Sequence, residues 1–109
     1  MNLPLVARIR QTQPQPTVAD VAAEVRQQWQ ASSLTRRLKP GARVAIGVGS
    51  RGINNILVIV RTTVDTLKEM GFKPFVVAAM GSHGGATPAG QRELLAEYGI
   101  TEAELGVEV

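Results

Sequence analysis

Cysteine is absent from this chain, and with it go disulfides, thiolate metal sites and cysteine nucleophiles. Histidine is nearly absent: His83 is the only one. One imidazole and no thiolate fall short of the four-ligand sets that hold zinc, so no metal site is expected from the chain's own side chains. Aromatic residues make up 4% of the sequence, as one Trp, one Tyr and two Phe. That leaves little to stack on bases, and no nucleic-acid partner is expected despite a net charge of +3. No apolar run approaches the roughly 20 residues of a membrane-spanning helix. The N-terminus lacks a basic stretch followed by an apolar block, the mark of a secretory leader. These gaps leave a cytoplasmic protein with no membrane partner as the expectation, since cytosolic chains keep few disulfides.

What is present suits a folded unit. The 109 residues, 44% hydrophobic and 19% charged, fit a single domain over 1–109 with a core of its own. A chain of this size buries roughly 65% of the surface that it exposes when unfolded, which is adequate without disulfides.

Along the chain, Leu5, Ala7 and Ile9 alternate with Val6, Arg8 and Arg10, which predicts an opening strand within Leu3–Arg10. Pro14 and Pro16 end it, because proline has no N–H for a ladder. Thr17 is expected to open a helix with Asp20 at its third position, as in a capping box. Val18, Val21, Ala22, Val25 and Trp29 form its apolar face. Pro40-Gly41 reads as a turn after the basic stretch Arg36-Arg37-Leu38-Lys39, which is most simply solvated. Arg43–Val48 is a β-branched run that predicts a strand buried on both faces. Asn54 or Asn55 caps a second helix with Ile56, Ile59, Val60, Thr63, Val64 and Leu67 inward, and Gly71 ends it. Phe75–Met80 predicts the next strand. Thr87 and Pro88 open a third helix that buries Leu94, Leu95 and Tyr98 and stops at Gly99. Thr101 and Glu104 carry a second capping signature, and Gly106–Val109 looks like the start of a further strand.

Strands alternating with helices predict an α/β fold, a three-layer sandwich with a mainly parallel sheet. In such sheets ligands bind beyond the carboxyl ends of the strands. The loops Gly49–Ile53 and Gly81–Ala86 both fall there, on consecutive strands, and are expected to line one crevice.

Within the first loop, Gly47-Val48-Gly49-Ser50-Arg51-Gly52 fits Gly-x-Gly-x-x-Gly between a strand and a helix, the setting of a dinucleotide fingerprint. The acidic residue that should meet the ribose after the next strand is missing. Tyr98 is followed four positions later by Glu102 and not by the lysine of a short-chain dehydrogenase. A plain glycine-rich turn is the simpler account of the pattern. A non-catalytic module that binds an anion or nucleotide through Gly47–Gly52 stays open as an alternative. Arg51 can fork onto a carboxylate or phosphate with two parallel bonds, or simply stand in solvent. His83 suits general acid–base work because its ordinary pKa, about 6.5, lies near neutrality; bonding to a backbone group is the plainer role. Ser82 as a nucleophile does not fit, since Met80-Gly81-Ser82-His83-Gly84 lacks the Gly-x-Ser-x-Gly elbow.

Taken together, Gly49-Ser50-Arg51-Gly52-Ile53 and Ala79-Met80-Gly81-Ser82-His83-Gly84-Gly85-Ala86-Thr87 resemble the N-terminal domain of the nickel-dependent lactate racemase family, from about Pro40 onward. The resemblance implies a racemase or epimerase of a small-molecule 2-hydroxy acid. In that family a nickel pincer nucleotide, tethered to a lysine, takes hydride from the α-carbon and returns it to either face, while histidines remove and restore the hydroxyl proton. It implies that His83 is catalytic and that Arg51, with Ser50, holds the substrate carboxylate. It also implies that Gly49, Gly52, Gly81, Ser82 and Gly84 line the cofactor. Lactate racemases carry Asp, Pro and Arg at the positions of Val48, Gly52 and Gly84, which implies a divergent subgroup. Family members are much longer and carry a C-terminal domain, and the family's nickel-ligating histidine, tethering lysine and second catalytic histidine belong to parts not present in this chain. This chain, which lacks that domain, is expected to be inactive alone and to hold no cofactor stably. A homo-oligomer is compatible with the reading.

Overall fold

The computed structural model describes residues 1–109. Two strands form its sheet: β1 (Arg43–Val48) and β2 (Lys73–Ala78) run parallel, with Ile46 opposite Val76 and Val48 opposite Ala78. Helix α3 (Ile56–Glu69) connects them. Helix α4 (Pro88–Glu97) and a short α5 (Glu102–Leu105) follow, and α1 (Val21–Ala31) and α2 (Ser33–Arg37) precede. The architecture is mixed α/β with a parallel two-stranded sheet.

The core lies on one face of that sheet. Val48, Val76 and Met80 pack with Val60 and Val64 of α3, Leu95 of α4, Ile100, and Leu105 of α5. The even-numbered residues of both strands point this way, as the period of two requires. On the opposite face Ala45, Gly47 and Val77 are exposed, and Arg43 lies over the Phe75 ring at 4.4 Å. The prediction of a strand buried on both faces is therefore corrected for β1: its apolar run supplies one covered face and one open one.

Helix α3 is built as its spacing predicts. Val60, Thr63, Val64 and Leu67 are buried and Ile56 and Ile59 half-buried, with Thr62 and Thr66 buried as well. Gly71, at φ +87°, ends it in the left-handed region, where glycine pays no steric penalty. Helix α1 packs against α3, and Trp29 Nε1 donates to Thr63 Oγ1 at 3.2 Å.

Several expectations need correction. Residues 1–19 form no regular structure apart from a bend at Ala19, so Leu3–Arg10 is not a strand, and Leu5, Val6 and Ile9 are exposed. The alternation is there, but a strand needs a neighbour for its N–H and C=O groups, and no ladder reaches this segment. Its projection explains a radius of gyration of 18.7 Å, against about 13 Å for a compact chain of this length. Helix α1 is capped by Asp20, whose carboxylate accepts from Ala23 N at 2.9 Å, and not by Thr17. Val18 accordingly stays outside the helix and exposed. The stretch read as a solvated connection contains α2, with Arg36 and Arg37 in its last turn, where the helix dipole favours cations. Strand β2 starts at Lys73 and ends at Ala78, two residues ahead of the predicted span. Tyr98 is exposed and not buried.

Other local signals hold. Thr87 caps α4 with Pro88 in its first turn, and Thr101 accepts from Glu104 N at 3.2 Å to cap α5. Gly106–Val109 is not a strand, but the Glu108 carbonyl accepts from Val76 N at 2.9 Å, which sets the segment along the free edge of β2. No helix is long and apolar enough to cross a membrane.

Candidate functional site

Because β1 and β2 are parallel neighbours, the loops that leave them emerge at the same end of the sheet. The ladder continues one step past β1, with Ala79 N donating to the Val48 carbonyl at 2.8 Å. Beyond it the chains part into Gly49–Asn55 and Met80–Thr87, and there the two loops meet. The Ser50 hydroxyl and His83 Nδ1 are joined by a hydrogen bond across 33 residues of sequence. Ser50 is 6% exposed and His83 half-buried. The Tyr98 hydroxyl, at the end of α4, donates to the Ser50 carbonyl oxygen. Ser50 is thus held from both sides, by the imidazole through its side chain and by the phenol through its backbone.

The histidine loop is fixed to α4. His83 N donates to the Met80 carbonyl at 3.2 Å, closing a turn. Gln91 Nε2 donates to the carbonyls of Gly81 at 2.8 Å and His83 at 3.1 Å. Thr87 Oγ1 donates to the Gly84 carbonyl and accepts from Gly90 N, each at 3.1 Å. Gly84, Gly85 and Ala86 all have left-handed backbones. A Cβ on Gly84 would stand 2.6 Å from the Gly90 carbonyl carbon, and one on Gly90 would stand 2.1 Å from the Gly84 oxygen. Backbone lies on backbone here, and neither position has room for a side chain. The contact, together with the left-handed backbone at Gly84, accounts for a glycine at position 84.

The remaining candidates are placed as follows. Arg51 is exposed and makes neither a hydrogen bond nor an ion pair. It follows Ser50 directly, so its Cα is a single peptide unit from the residue that touches His83. Gly49 is half-buried against the Ala79 carbonyl, while Gly52 and Gly81 face open space where a Cβ would be. Ser82 is exposed and makes no hydrogen bond through its side chain. None of the cavities is lined by Arg51 or His83, so the site is an open surface at the loop tips. No three His, Asp or Glu side chains cluster. Gly52, Gly81 and Ser82 are all exposed at the loop tips.

Tyr98 and Gln91 are parts of this site that no sequence motif marks. Gln91 lies four residues after the Thr87 cap, one helical turn on, facing the same loop. Tyr98 is the sole tyrosine, next to the terminal Gly99; its phenol is the kind of polar tip that finds a partner at a surface.

The fold and the loops define an α/β chain with a histidine and an arginine brought to one end of a parallel strand pair. Comparison with protein-family models, with curated proteins and with solved structures finds no match for the chain.

Proposed function

We propose that this chain is the N-terminal α/β part of a lactate-racemase-like enzyme that racemises or epimerises a 2-hydroxy acid. One observation carries the reading: the Ser50–His83 hydrogen bond ties the arginine loop to the histidine loop at the ends of adjacent strands. A 2-hydroxy acid offers a carboxylate and a hydroxyl on neighbouring carbons, and the two loops offer a partner for each. The Arg51 guanidinium, free of intramolecular partners, forks onto the carboxylate. The His83 imidazole exchanges a proton with the hydroxyl. The nickel pincer nucleotide, when bound, would supply the hydride acceptor; Gly52, Gly81 and Ser82 would flank it, and its nickel ligand and tether would come from parts of the resembled family's proteins outside this chain. The complete fold on this reading is a three-layer sandwich in the cytoplasm, with a second layer over the open sheet face of Ala45, Gly47 and Val77.

The test is interconversion of a panel of 2-hydroxy acids, followed by chiral chromatography, by the chain alone and by the complete protein loaded with the nickel cofactor. Turnover is expected only in the loaded complete protein and is lost in His83→Ala. Unchanged turnover in that variant contradicts the role given to His83.

A second reading has its own support, since Arg51 is unpaired and Asn55 caps α3 without a side-chain hydrogen bond. On it, Gly47–Gly52 is a non-catalytic anion or nucleotide module. It predicts nucleotide affinity that Arg51→Ala abolishes and His83→Ala leaves alone.

A further inference from the structure

We propose that Ser50 is a positioning residue that fixes the tautomer of His83, holding the proton on Nε2 and turning that nitrogen to the open side of the loops. The resemblance places Ser50 on the substrate; the hydrogen bonds place it behind the histidine. Ser50 is buried, and His83 Nδ1 is the one hydrogen-bond partner of its hydroxyl. A serine hydroxyl has one proton to donate and lone pairs to accept with. If Nδ1 carried the proton and donated to Oγ, the serine proton would be left in a buried place with no acceptor. An unmet buried donor is costlier than a missing bond elsewhere. The arrangement that satisfies both groups has Ser50 donating to a bare Nδ1, which puts the imidazole proton on Nε2. The partner bonded at one ring nitrogen decides the state of the other.

The backbone around Ser50 is fixed to suit. Its carbonyl accepts from the Tyr98 hydroxyl, so α4 holds the serine from the far side. Gln91, also on α4, holds the His83 carbonyl at 3.1 Å. One helix therefore sets both members of the pair, and Tyr98 and Gln91 act through them. The catalytic meaning of this arrangement rests on the isomerase reading, in which Nε2 faces the substrate hydroxyl and is the nitrogen that gives up and regains the proton. The tautomer itself does not depend on that reading.

The chain has a single histidine, so 15N-histidine labelling of the whole chain gives one pair of ring-nitrogen signals without assignment. In the wild type at a pH where the ring is neutral, Nε2 is expected at the protonated position and Nδ1 at the bare one. Ser50→Ala is expected to narrow that separation toward that of an unrestrained imidazole, the two signals drawing together as tautomers exchange, while the backbone amide spectrum stays folded. Tyr98→Phe is expected to reduce the separation in part, and Ser50→Thr, which keeps the hydroxyl, to restore it. A wild-type ring protonated on Nδ1 overturns the proposal without any variant, and so does an unchanged separation in folded Ser50→Ala. Loss of racemisation with the tautomer intact would count against the isomerase reading and leave this inference standing.

Discussion

The hydroxyl of Tyr98 donates to the carbonyl oxygen of Ser50, 48 residues earlier in the chain. The bond links the C-terminal end of α4 to the loop after β1, with the histidine loop between them. Its removal in Tyr98→Phe leaves the ring and takes away only the donor. A hydrogen bond of this kind contributes about 1 kcal/mol net. Urea denaturation should show a loss of that size, with amide exchange speeding up at Ser50 and Arg51 ahead of the core strands.

Gly90 gives a test in which the sign decides. Glycine inside a helix is normally improved by alanine, by about 1 kcal/mol. Here a Cβ would stand 2.1 Å from the Gly84 oxygen, and backbone cannot swing aside as a side chain can. Overpacking of this kind costs about 1–3 kcal/mol, and more where nothing yields. Gly90→Ala is therefore expected to destabilise the chain in chemical denaturation and to disturb the His83 amide signal. A gain in stability would contradict the backbone contact.

The start of α1 distinguishes structure from sequence pattern. Asp20 accepts from Ala23 N and Thr17 caps nothing. Asp20→Ala should lower stability by about 1 kcal/mol, the ordinary worth of a cap. Thr17→Ala should fall within the scatter of repeated denaturation curves.

These cases show what was legible beforehand. The burial of α3, the Thr87 and Thr101 caps, the Gly71 terminator and the pairing of two strand-end loops follow from local periodicity and turn chemistry, and they were readable from residues alone. The helix start at Asp20 is ambiguous in sequence because Thr17 and Asp20 both satisfy capping chemistry, and only the packing of Val21 onward against α3 selects between them. Alternation at Leu3–Arg10 does not make a strand, because it says which side could be buried, not whether a neighbour exists. Tyr98 and Gln91 escaped because their partners are backbone carbonyls in other elements, and carbonyls leave no trace in a sequence. For the same reason the role of Ser50 emerged only when its depth and its hydrogen-bond partners were in view.

The central claim is that Arg51 and His83 form one site for a 2-hydroxy acid. Titrating the 15N-histidine-labelled chain with 2-hydroxy acids, and with matched carboxylates that lack the hydroxyl, tests it most directly. The account predicts a saturable shift at His83 Nε2 with a 2-hydroxy acid, a weaker or absent one with its deoxy counterpart, and none in Arg51→Ala. That variant should keep wild-type stability, because Arg51 is exposed and makes no ion pair. No response of the His83 ring to any 2-hydroxy acid, alongside Arg51-dependent binding of a nucleotide, would contradict the account.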